Sequence, residues 1–168
     1  MTHPLVEQLR FTRSEWLRGL RGVPEADALV RLQPMNSICW IVGHLAWQEQ
    51  RYWLTRAMRQ TPLPVLNEVA ANGGPATTPS LPDMLAAWRT VTAAADSWLD
   101  ALTTEVLAGP LAGPGPRRSI GDALHRVTYH YWFHIGEILA IRQQLGHPRL
   151  PEFVGSIESR APYRSELG

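Results

Sequence analysis

Apolar residues recur at helical spacing in four stretches of this chain. Between Ser119 and Leu145, residues Ile120, Val127, Ile138, Ile141 and Leu145 share one face at about 100° per residue. His130 and His134, four apart, lie in the same stripe, with Glu137 nearly in line. Ser119 with Asp122 three residues on opens this helix in a capping-box pattern, and Gly146 with Pro148 ends it. Leu5, Leu9, Trp16 and Leu20 mark a first helix that stops near Gly19 to Gly22. After a linker ending in Gln33-Pro34, Asn36 or Ser37 caps a second helix through Ile38, Ile41, His44, Leu45, Gln48, Tyr52 and Thr55. Ser80 caps a third, with Pro82 in its first turn, Leu85, Trp88, Thr92, Ala95 and Leu99 on one face, and an end near Leu102.

Between these stretches the polar and breaker residues predict loops. Thr61 to Pro79 contains Pro62, Pro64, Gly73, Gly74, Pro75 and Pro79, and Gly109 to Pro116 alternates Gly and Pro too densely for a helix. Four helices with one apolar stripe each bury those stripes most simply as an all-α four-helix bundle, with long loops between helices two and three and between three and four. The 168 residues suit one domain, with its core over 4–148 and a C-terminal tail over 149–168.

Composition narrows the function. A net charge of +1 with 18% charged residues gives no basic surface for nucleic acid, and the 45% hydrophobic content argues against disorder. All cationic side chains apart from the histidines are Arg, so neither a Schiff-base lysine nor a phosphate-loop lysine is available. Cys39 is the single cysteine, which excludes an intrachain disulfide and suits a reducing compartment. The N-terminus has no signal-peptide pattern, and no apolar run approaches the roughly 20 residues that span a bilayer. The expectation is a soluble cytoplasmic protein with neither a nucleic-acid nor a membrane partner.

Two imidazoles inside an apolar stripe need partners, and neutral His is the commonest protein ligand for a transition metal. His130 and His134 can bind one ion from one helix, and His44, the only other His on an inward stripe of a long helix, is the third candidate. Gly43 beside His44 and Gly136 near His134 each cost about 1 kcal/mol against Ala in mid-helix, and a close neighbouring helix would explain them. Glu49 is five residues after His44, about 140° around the helix, and points elsewhere; Gln48, at four, stays on the site's side as a supporting residue. His125 falls off the face for the same reason, and His3 and His147 lie at chain or helix ends. Glu137 has three functional options: a fourth ligand, a hydrogen-bond partner for a liganding His, or a catalytic general base. Its plain alternative is an ion pair with Arg126 or Arg142. Cys39 reads as a small buried hydrophobe, and Trp40, Trp47, Trp53 and Trp132 as core.

The run Met35 to Glu49, with His130 to Glu137 and Gly146-His147-Pro148 downstream, resembles the DinB-like (YfiT-like) metalloenzyme family over nearly the whole chain to Pro148. That resemblance implies a four-helix bundle with His44, His130 and His134 as ligands to a zinc or nickel ion. It also implies a homodimer, and an activity like that of relatives that transfer bacillithiol or mycothiol, or isomerise maleylpyruvate with mycothiol.

Three His ligands leave an open position on a tetrahedral ion, the arrangement of catalytic sites. A low-molecular-weight thiol bound there is favoured as the thiolate and can attack an electrophilic small molecule without a protein cysteine. Arg51, seven residues after His44, or Arg126, four before His130, can hold a carboxylate of that thiol, though either is also an ordinary solvated Arg. The alternatives are a metal-dependent hydrolase or isomerase at the same site, and a non-catalytic, metal-stapled binding or stress-response module.

Overall fold

In a computed structural model that describes residues 2–152 and 154–164, the chain is all-α, without a strand among those residues beyond one isolated bridge from Pro110 to Ser119. Its four long helices fall where the apolar periodicity predicts them, and four short ones lie between and after them. Among the described residues no helix is long and apolar enough to cross a membrane. The contacts divide into two compact units, Met1–Arg21 with Trp98–Leu111 and Gly115–Gly168, and Gly22–Ser97 with Ala112–Pro114.

In the first unit, helix α1 (Pro4–Leu20) is capped by His3, whose Nδ1 accepts the Leu5 N–H at 3.2 Å while Pro4 begins the first turn. Helix α7 (Ile120–Gln144) carries the capping box of Ser119 and Asp122, and it ends at Gly146, whose φ of +74° suits a residue without Cβ. The two helices pack through fully buried Trp16 and Tyr131, ring centroids 5.9 Å apart and nearly perpendicular, and through Phe11 and Trp132. Buried Arg142 donates to the Gly19 carbonyl at 2.5 Å and to His147 Nδ1 at 3.1 Å, tying together the C-terminal ends of α1 and α7 where carbonyl dipoles favour a cation.

This unit also holds two short helices, α6 (Thr104–Ala108) and α8 (Ile157–Arg160). The segment around α8 lies along α1: Gln8 donates to the Ala161 carbonyl, Arg164 meets Glu7, and Glu15 accepts the Gly155 N–H at 2.9 Å. Burial raises the Glu15 pKa, but bonds from Arg18 and Gly155 and the charges of Arg18 and Arg160 outweigh it, leaving the carboxyl below its ordinary range.

The second unit contains α2 (Glu25–Leu29), α3 (Ile38–Glu49), α4 (Leu66–Val69) and most of α5 (Leu81–Asp100). Of the two cap candidates Ser37 caps α3, accepting the Trp40 N–H. All twelve residues of α3 are buried, so it is not the one-striped helix its spacing suggests but an element buried on every side, His44, Gln48 and Glu49 included. The predicted run through Tyr52 and Thr55 also changes character: beyond Glu49 the chain continues as a π-helix, Gln50–Ala57. The wider turn lets Gln50, Tyr52, Trp53, Leu54 and Arg56 all be buried. The Gln50 amide clamps Leu63 through both its N–H and its carbonyl, and Arg56 holds the Ala112 carbonyl at 2.8 Å. The stretch predicted as an unbroken loop contains α4, a single turn stabilised by burial of Leu66 and Ala70 rather than by helix propensity.

Candidate metal centre

On α7 of the first unit, the four-residue spacing places the His130 and His134 ring centroids 4.4 Å apart, with the Nε2 atoms 3.0 Å from each other. His134 is buried and His130 half-buried. One turn on, Glu137 Oε2 lies 2.7 Å from His134 Nδ1. A carboxylate can only accept, so the Nδ1 proton is assigned to this bond and the neutral ring keeps its lone pair on Nε2. Two nitrogen lone pairs at 3.0 Å repel unless a proton or a cation lies between them, which is the arrangement of a chelating pair.

In the second unit His44, also buried, repeats the device with a different acceptor: its Nδ1 is 2.9 Å from the Ala70 carbonyl, which again leaves Nε2 unprotonated. The imidazole is stacked against Trp40 at 4.6 Å and 11°, and against Trp47 at 5.3 Å and 22°. Trp47 donates its indole N–H to Asn67 Oδ1 at 2.9 Å, while the buried Trp40 indole N–H has no hydrogen-bond partner among the described residues. An orphan donor beside a candidate ligand fits a site that receives an acceptor atom from outside the chain.

Gly43 allows this geometry. A Cβ there would stand 3.1 Å from Ala70 Cβ and 2.5 Å from Met84 Sδ, so its absence leaves room for both side chains against α3. Gly136, expected to serve the same purpose, faces open space with nothing within 4 Å of its would-be Cβ, and needs no close neighbour to explain it.

His44, His130 and His134 each offer one ring nitrogen and form a group of three able to hold one metal ion. Three neutral imidazoles suit zinc or nickel as donors and do not fill a tetrahedral shell. Glu137 meets His134, whereas Arg142 donates to Gly19 and His147. Gln48 is buried on α3, and Glu49, fully buried, accepts the Trp53 indole N–H. His125 is exposed and stacks on Tyr129. Arg51 is exposed with its guanidinium 5.3 Å over the Trp47 ring, and Arg126 is exposed on α7. Burial pushes the Cys39 thiol pKa up, which keeps it unreactive.

The sequence gives no sign of Ala70 and Asn67, which lie in the predicted loop; Trp40 and Trp47 are core, as their burial bears out, and also turn ring faces to His44, on the side of the helix their spacing shares with it. A family model described as the DinB superfamily matches residues 8–138, a span that includes the three histidines and Glu137. None of the curated proteins matches the chain.

Proposed function

Because the chain belongs to the DinB superfamily, we propose that it is a divalent-metal-dependent S-transferase that joins a low-molecular-weight thiol, of the bacillithiol or mycothiol type, to an electrophilic small molecule. The proposed ligands of the zinc or nickel ion are His44, His130 and His134. The observation that carries the reading is that His44 and His134 each have Nδ1 committed to an acceptor, Ala70 O at 2.9 Å and Glu137 Oε2 at 2.7 Å, so both offer Nε2 in the ligating form.

When bound, the ion supplies Lewis acidity that favours a coordinated thiol as its thiolate. The chain's own residues do the rest. Glu137 fixes the His134 ring and offsets positive charge, a role that occupies its Oε2 and that we prefer to general base. Arg51 and Arg126, both exposed, are proposed to hold a carboxylate of the thiol. The thiol proton leaves to water, the sulfur forms a bond to the electrophilic carbon, and the leaving group departs with the displaced electron pair. The chain has no lysine, and its single cysteine, Cys39, is buried, so the sulfur nucleophile comes from the small thiol.

The protein is further proposed to act in the cytoplasm as a homodimer. Tyr129 and Phe133, 66% and 68% exposed, project from one side of α7 and are the surface we assign to the second copy.

The test incubates metal-loaded protein with a chromogenic electrophile and bacillithiol, mycothiol or glutathione in turn. One thiol is expected to give turnover above a His130→Ala control. Hydrolysis by water alone would replace the transferase with a hydrolase, and no reaction with any thiol or with water would leave a binding module.

A further inference from the structure

His44 is restrained more than a buried helix residue requires. A His side chain has two torsions, the second of them broad, and the Nδ1 bond to Ala70 fixes one direction in the ring plane while leaving the ring able to tilt about that direction. Two indole faces, at 11° and 22° to the imidazole, remove the tilt. The plane of Trp47 is itself held by Asn67, and Trp40 and Trp47 are 7% and 8% exposed, so neither has room to turn away.

We propose that Trp40 and Trp47 are positioning residues that hold the His44 imidazole in the plane needed for a metal ion. This rests on the metal reading above. The stack has two effects. It settles the ring's orientation before the ion arrives, so less freedom is lost on binding. It also favours the bound state selectively, because an imidazole polarised by a cation carries positive charge that the two indole π-faces attract, whereas the neutral ring gains nothing comparable. Core packing alone accounts for neither feature. Trp53, buried completely and bonded to Glu49, fills volume in the same unit nine residues beyond His44, and is the natural control.

The experiment titrates cobalt(II) into the full-length, untagged apo-protein, reading affinity and the visible d–d absorption, which reports ligand geometry. Trp47→Leu is expected to weaken cobalt binding by about 10-fold or more, within the range for a supporting partner of a liganding His, and to displace the absorption band. Trp47→Phe restores a flat ring and is expected to return affinity to within about threefold of the unchanged protein. Trp53→Phe should lower the thermal midpoint yet leave affinity and band untouched. If Trp47→Leu does not fold, Trp40→Leu, which removes the other stacking face and is checked for helical content, should displace the band instead. An unchanged protein that binds cobalt, with the same affinity and band in every Trp variant, overturns this inference alone. An unchanged protein that takes up no cobalt overturns it together with the metal reading.

Discussion

Removing the Glu137 carboxylate is the perturbation that best separates a supporting role from a surface ion pair. Its Oε2 lies 2.7 Å from His134 Nδ1, and the side chain is 17% exposed, so the bond is short, charge-assisted and largely shielded from water. Loss of such a partner from a liganding His costs about 10- to 100-fold in metal affinity, or roughly 1.4–2.8 kcal/mol. Glu137→Ala should sit at the upper end. Glu137→Gln should sit at the lower end, because its amide oxygen still accepts the Nδ1 proton but no longer offsets the charge of the ion. The apo-protein should lose only about 0.2–0.5 kcal/mol, the usual contribution of a pair three residues apart on a helix. Zinc competition against a chromophoric chelator measures the affinities, and thermal unfolding of the apo forms measures the rest. Affinity within about threefold of the unchanged protein in the Ala variant, with a lowered apo midpoint, would refute the reasoning and make Glu137 a structural residue.

Other consequences are checked by simpler means. Glu15 has a folded-state pKa below its ordinary value, so its stabilisation is fully present above the ordinary glutamate pKa of about 4.3 and is lost as pH falls through the folded value. Glu15→Gln should therefore destabilise by about 1–2 kcal/mol at pH 7, with the gap in thermal midpoint closing below about pH 4. Arg142→Met removes two hydrogen bonds from a buried cation and should cost about 2–3 kcal/mol, or roughly 4–12 °C, in thermal midpoint. Gly43→Ala gains about 1 kcal/mol of helix propensity but forces Met84 aside and presses on Ala70, so zinc affinity should fall while apo stability changes little. Gly136→Ala, with open space around it, should simply stabilise by up to about 1 kcal/mol in thermal or urea unfolding.

Much of the fold is readable in the sequence because its long helices announce themselves by period and cap. Ser119 and Asp122 make their capping box, Ser37 and Ser80 cap where expected, and Gly146 closes α7 in the left-handed region. What stayed hidden was tertiary in origin. The π-helix buries Gln50, Tyr52, Trp53, Leu54 and Arg56, positions that would point all round an α-helix, so no apolar stripe marks it. Helix α4 is one turn, too short for any periodicity, yet Ala70, the residue that caps its C-terminal end, supplies the carbonyl that sets the His44 tautomer. Side-chain identity can suggest His44 as a ligand, but a backbone acceptor has no residue type and leaves no mark in the sequence. The ring partners of His44 are visible as spacing, but a Trp at such a position reads first as packing, and only the ring geometry shows the stack.

The most direct test of the account is elemental analysis of untagged protein together with its His44→Ala, His130→Ala and His125→Ala variants, after reconstitution with zinc or nickel. One divalent ion per chain is expected in the unchanged protein and in His125→Ala, which alters an exposed ring stacked on Tyr129. Tight binding should disappear in His44→Ala and His130→Ala, and uptake by the unchanged protein should weaken as the pH is lowered and protons compete for the imidazoles. Metal that stays well below one ion per chain after reconstitution, or equal loss in all three variants, would contradict the three-histidine centre.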